Sequence, residues 1–320
     1  MKKSKPKISI FNFLIMIVTF GVFLYVLLFS PNLPTKSVEI KVEEPEITEN
    51  TVLGEKVENV ASTINDTPKP TIPAPPQVTA LSYVVYDANQ DKTIAEHNSE
   101  LILPPASTTK LMTALVALEE YSINDILPIP KDCLKLPGTQ AYLSEGDFLS
   151  VESLLYALLL PSASDAACVL ARGYNNPSDF LAKMNKKSEE LGLKHTNFDN
   201  VIGLDGDNGT HFSTASDLLI LAKAALKNQE LMKIVGTKYY DVHSYATDKT
   251  YTVRNTNELL FSLPGTVGLK TGTTEKAGAC LIYVYANTNK DKKVIIIVMG
   301  SKEDARFSDT KALLDWYLEW

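Results

Sequence analysis

The sequence predicts an α+β domain, because segments with the two-residue period of strands stand at both ends of the globular region and segments with a helical period fill the interval between them. Leu81–Tyr86 and Thr93–Ala95 flank the polar run Asp87–Asp91 and read as a β-hairpin. Apolar residues three and four apart then predict helices over 107–121, 151–172, 178–191 and 214–227, the last opened by Thr214 with Asp217 three residues on, a capping box. Ala279–Ala286 and Val294–Met299 bracket Asn287–Asp291 as a second hairpin, and 308–317 closes the chain as a helix. One sheet built from the two terminal parts, with a helical insertion, satisfies this order.

The first predicted helix carries the most informative residues. Ser107 and Lys110 are three apart, so their side chains share a helix face, and an amine in a partly buried cleft loses basicity until it can take a hydroxyl's proton. That is the arrangement of an activated serine. Ser-x-x-Lys also occurs at Ser4 and Ser308, but Ser4 lies in a basic tail and Ser308 opens the last helix. Only Ser107 follows Pro104-Pro105-Ala106 and heads the apolar run Leu111–Val116.

The N-terminus predicts a different environment for the ends of the molecule. Residues 8–29 hold no charge and are long enough to cross a bilayer as one helix. Lys2, Lys3, Lys5 and Lys7 precede them in a basic tail, residues 1–7, which sets the N-terminus in the cytoplasm and the rest outside the cell membrane. A cleaved signal peptide fits less well, since Phe29-Ser30-Pro31-Asn32 offers no small-x-small site. Residues 30–77, rich in Pro, Glu and Thr and without apolar periodicity, read as a disordered tether with an r.m.s. span of about 35–40 Å. The globular domain is expected over 78–320.

Composition removes other classes. A formal net charge of −7 argues against a nucleic-acid partner. His97, His195, His211 and His243 are scattered without metal-ligand spacing. The three cysteines, Cys133, Cys168 and Cys280, permit one disulfide at most, and the apolar runs around Cys168 and Cys280 favour buried free thiols.

Two downstream motifs complete a series: Ser162-Ala163-Ser164 and Lys270-Thr271-Gly272, the latter present once. With Pro105–Thr113, Leu154–Ala167, Gly203-Leu204-Asp205, His211–Thr214 and Asn255-Thr256-Asn257, they resemble the serine-type D-Ala-D-Ala carboxypeptidases, the low-molecular-mass penicillin-binding proteins of peptidase family S11. The resemblance spans about residues 78–320. It implies a β-lactamase/transpeptidase-like fold: an antiparallel sheet flanked by helices, an all-helical subdomain, and the site in the cleft between them.

The resemblance also implies roles. Ser107 would be the nucleophile, Lys110 its base, and Ser162 the relay of a proton to the leaving amine. Lys270 and Thr271 would meet the substrate's terminal carboxylate, with Arg306 as a further anchor. Gly272 would let the backbone approach the ligand, and the Thr273 and Ser107 amides would form the oxyanion hole. Ser164 departs from the family's Asn at the position that holds the substrate amide, and its shorter reach predicts slower acylation. The implied partners are peptidoglycan stem peptides ending in D-Ala-D-Ala, β-lactams as covalent inhibitors, and the membrane. No metal or other cofactor is implied. A β-lactamase, a D,D-endopeptidase on the same fold and a catalytically weak peptidoglycan sensor are the competing readings.

Overall fold

A computed structural model describes residues 73–319 except 175, 207, 208, 290, 303 and 304. The expected membrane span, 8–29, lies outside the described residues, and among those described no helix is long and apolar enough to cross a membrane.

The two predicted hairpins form and join. β1 (Ser82–Asp87) pairs with β2 (Lys92–His97), and β8 (Gly278–Ala286) with β9 (Lys293–Ser301). β1 also pairs with β9, and β7 (Thr266–Thr274) adds to β8, giving an antiparallel sheet of order β2-β1-β9-β8-β7. The central strands are apolar at nearly every position because both faces of the sheet are covered. Val84, Ile282, Ile295 and Ile297 join one core, while Tyr83, Val85, Leu281 and Ile296 pack in another with Leu313, Leu314 and Trp316. The latter three belong to the closing helix, Arg306–Leu318. Trp316 also donates from its indole nitrogen to the Pro73 carbonyl at 3.1 Å, which ties the last residues of the expected tether to the domain.

The helices, in chain order, are α1 (Lys110–Glu120), α2 (Val151–Leu159), α3 (Ser164–Gly173), α4 (Pro177–Leu191), α5 (Ala215–Ala225), α6 (Gln229–Val235), α7 (Leu259–Ser262) and α8 (Arg306–Leu318). Thr214 caps α5, its side chain accepting from the Asp217 amide. Two small hairpins, β3 (Ile126–Pro128) with β4 (Phe148–Ser150) and β5 (Tyr239–His243) with β6 (Thr250–Arg254), are additional to the predicted elements.

Three expectations are corrected. The single helix over 151–172 is two, α2 and α3, because Pro161 cannot donate to the helical ladder and Ser162 takes a left-handed backbone with φ +68°. The final helix begins at Arg306, two residues before Ser308. Cys133 and Cys168 form a disulfide, their Cα atoms 5.4 Å apart, and only Cys280 is a buried free thiol. The bridge joins the short 3₁₀ turn Lys131–Cys133 to the middle of α3, a meeting that local apolarity does not reveal.

Candidate active site

The nucleophile candidate sits on a turn forced tight by its neighbours. Ala106–Thr109 form a 3₁₀ turn that runs into α1, and Ala106 itself takes φ +50°. A Cβ at Gly203 would lie 2.0 Å from the Ala106 oxygen, and one at Gly272 would lie 2.9 Å from the Ser107 nitrogen. Gly272 therefore lets strand β7 close on the Ser107 turn itself, a more specific constraint than approach to a ligand.

Behind Ser107 the chain builds a dry pocket for one amine. Lys110 is 1% exposed, and its Nζ donates to the Ile202 carbonyl at 2.6 Å and stands 3.0 Å from Ser107 Oγ. Burial pushes its pKa down to about 7, against a smaller opposing pull from Asp165. The Ile202 carbonyl is aimed by Asn200, whose Oδ1 accepts from the amides of Ile202, Gly203 and Leu204 at 3.2, 2.7 and 3.1 Å. His211, buried and lowered in pKa mainly by that burial, contacts Thr109 Oγ1 through Nε2 at 2.8 Å and places Nδ1 3.1 Å from the Asp199 amide nitrogen. The same Nδ1 also stands 3.0 Å from the Asp199 carboxylate, whose charge opposes the effect of burial.

The other residues divide between two walls. A cleft of about 490 Å³ is lined on the sheet side by Thr271, Gly272 and Thr273, and across from them by Ser162 and Thr139. Ser162 Oγ has no hydrogen-bond partner among the described residues. Thr271 shares a hydrogen bond with Thr256 at 2.7 Å, and the Thr256 amide donates to Leu160, two residues before Ser162. Arg306 is buried, donates to the Gly272 carbonyl at 2.6 Å and also borders the cleft.

Two predicted residues lie elsewhere than expected. Lys270 is 1% exposed and does not line the cleft; its Nζ donates to the Thr271 carbonyl at 3.0 Å. Burial, then Lys110 and Arg306, hold its pKa well below the usual lysine range. Ser164 is 2% exposed and also absent from the lining: a Cβ on Gly138 would fall 2.9 Å from its hydroxyl, so the loop above covers it. Thr139, Thr256, Arg254 and Glu258 line the cleft without having been singled out individually from the sequence. Thr256 lies inside the Asn255-Thr256-Asn257 motif, and a Pro137-Gly138 turn signal precedes Thr139. Among the described residues no cluster of His, Cys, Asp and Glu is placed to hold a metal ion.

A serine, a buried amine beside it and a second serine across a cleft edged by a free strand define an acyl-transfer site of the Ser–Lys type on an α+β transpeptidase fold. The comparisons agree with that class. The structure of the Streptomyces K15 DD-transpeptidase superposes with a TM-score of 0.72 at 31% identity, covering 77% of this chain and all of that one. The D-alanyl-D-alanine carboxypeptidase DacF of Bacillus subtilis is 32% identical over 243 residues, 74% of this chain and 61% of the relative. A D-alanyl-D-alanine endopeptidase of Pseudomonas aeruginosa is 30% identical over 264 residues, 81% of this chain and 84% of the relative. The peptidase S11 family model, described as D-alanyl-D-alanine carboxypeptidase, matches residues 69–303, and the chain belongs to that family.

Proposed function

We propose that the protein is a serine D-Ala-D-Ala carboxypeptidase, held at the cell membrane by residues 8–29, that removes the terminal D-alanine from peptidoglycan stem peptides through an acyl-enzyme on Ser107. The observation that carries this reading is the buried Lys110 amine, 3.0 Å from Ser107 Oγ, with a pKa brought down to about 7.

A neutral Lys110 has a lone pair to accept the Ser107 proton while one N–H stays on the Ile202 carbonyl. Ser107 Oγ then adds to the carbonyl carbon, and the oxyanion is met by the Ser107 and Thr273 amides. The C–N bond breaks as the leaving amine takes a proton through Ser162, whose otherwise unpartnered hydroxyl suits that task. Water later hydrolyses the ester. Thr271 and Arg306 offer the departing carboxylate a hydroxyl and a cation. A β-lactam would acylate the same serine.

The likeness to a named endopeptidase supports a second reading, cleavage of a cross-linked D-Ala bond by the same residues. The test uses the full chain in detergent micelles, the Ser107→Ala variant, and two substrates: a peptide ending in Lys-D-Ala-D-Ala and a cross-linked dimer. Release of free D-alanine by the parent alone supports the carboxypeptidase. Faster cleavage of the dimer would transfer the reading to the endopeptidase, and neither activity in a folded parent would sink both.

A further inference from the structure

An extended peptide presents hydrogen-bonding groups on both edges, and a strand edge can satisfy only one of them. In this cleft β7, the edge strand of the sheet, supplies one side. On the facing wall Ser162 and Thr139 carry hydroxyls, and Ser162 is committed to the leaving amine under the reading above.

Thr139 is held in place from below. Its carbonyl accepts the Ser164 amide at 2.7 Å, and two and four residues on, the Ala141 and Leu143 amides donate to Asp165 at 3.0 and 3.2 Å. Asp165 is itself buried and accepts the Ala166 amide as well. Gly138, with φ +92°, turns the chain directly over the Ser164 hydroxyl. The first two residues of α3 thus anchor a loop whose exposed Thr139 side chain faces the cleft, while Ser164 stays under it.

We infer that Thr139, carried on this loop, is the side chain that hydrogen-bonds the substrate's acyl-side amide, the one joining the penultimate D-alanine to the residue before it, and that the Ser164 hydroxyl, covered by the loop, makes no contact with the substrate. The inference rests on the acyl-transfer reading of the cleft. A hydroxyl in that position can accept the amide N–H or donate to its carbonyl, so serine can replace threonine and valine cannot.

The test compares the full-length parent with Thr139→Val, Thr139→Ser and Ser164→Ala on two substrates: a peptide ending in Lys-D-Ala-D-Ala and an analogue with CH2–CH2 in place of the acyl-side amide. Thr139→Val should lower kcat/KM on the peptide about five- to tenfold, the range of one neutral hydrogen bond, and leave the analogue unchanged. Thr139→Ser and Ser164→Ala should stay within about twofold of the parent, since each retains the hydroxyl or the backbone contact in question. Calorimetric binding of the peptide in a Ser107→Ala background gives the same comparison without turnover. If the parent releases no D-alanine yet Thr139→Val weakens that binding, the functional reading fails and the Thr139 contact stands. Equal losses on both substrates, no loss on the peptide, or a loss in Ser164→Ala as large as in Thr139→Val would overturn the inference.

Discussion

Lys110 holds the Ile202 carbonyl at 2.6 Å, closer than its 3.0 Å approach to the Ser107 hydroxyl. The carbonyl fixes where one N–H points, which leaves the lone pair of the neutral amine free to meet the serine. The rate of Ser107 acylation should therefore follow the neutral fraction of Lys110. Labelling by a fluorescent penicillin should rise about tenfold per pH unit below a midpoint near the amine's pKa of about 7 and flatten above it. A profile flat from pH 5 to 9 in a folded protein would remove Lys110 as the base.

The same burial makes a statement about stability. A lysine lowered from 10.5 to about 7 binds its proton less well folded than unfolded, so between those values the unfolded chain carries the extra proton and stability rises with pH. Below about 7 both states are charged and the cost of burying the charge is complete. Lys110→Met should accordingly raise the melting temperature most at pH 6 and by a shrinking amount toward pH 10. A gain that grows with pH would contradict the assigned direction.

Gly203 and Gly146 share a backbone φ of +82°, but they differ in what surrounds them. A Cβ at Gly146 meets nothing within 4 Å, whereas at Gly203 it would strike the Ala106 backbone behind the nucleophile. Gly146→Ala should cost only the left-handed strain, about 1 kcal/mol. Gly203→Ala should cost at least about 3 kcal/mol and remove penicillin labelling, because backbone cannot yield as a side chain can. Chemical denaturation of both variants decides it, and equal losses would sink the claim.

How far this site was legible beforehand depended on whether a residue's role is local. Thr214 capping α5 and the polar turns of both hairpins are decided within a few residues, and they formed where the pattern set them. Ser107, Lys110, Ser162 and Thr271 were named through a motif series and meet in the structure as neighbours of one cleft. β7 lacked an alternating pattern because its middle is buried on both faces and carries two glycines. Pro161 marks the break before α3, but Leu160, Ala163 and Ala166 keep a three-residue apolar spacing across it and masked the end of the first helix. Ser164 lay in a recognisable position, yet its burial depends on Gly138, 26 positions earlier in the chain, a distance no periodicity spans.

The Cys133–Cys168 bridge closes a loop across a sequence separation of 35 and pins α3 to the segment that leads into the Thr139 loop. Chain entropy alone assigns such a closure about 4 kcal/mol. Cys133→Ala with Cys168→Ala should lower the melting temperature by roughly 10 °C for a domain of this size. The parent should fall equally when unfolded in a reducing buffer, while the double variant should not respond to reductant. An unchanged melting temperature in the double variant would show that the bridge contributes nothing to the folded state.

Asn200 and Asn185 offer a matched pair for asking whether a loop's hydrogen bonds serve the fold or the base. Asn185 exchanges two hydrogen bonds with the Phe198 backbone, at 2.7 and 2.8 Å, and makes no contact with the turn at Ile202–Leu204 that Asn200 holds. Asn200 gathers three amides and thereby holds the Ile202 carbonyl against Lys110. Alanine at either site leaves backbone groups without partners and should cost about 1–3 kcal/mol. Only Asn200→Ala should also change the pH profile. Slackening its turn admits water to the Lys110 amine, reverses the desolvation that dominates its shift, and moves the acylation midpoint upward from about 7. Asn185→Ala should keep the parent midpoint at a similar loss of stability. A midpoint shared by all three proteins would mean that the Ile202 carbonyl is scaffolding for the turn and does not tune the base.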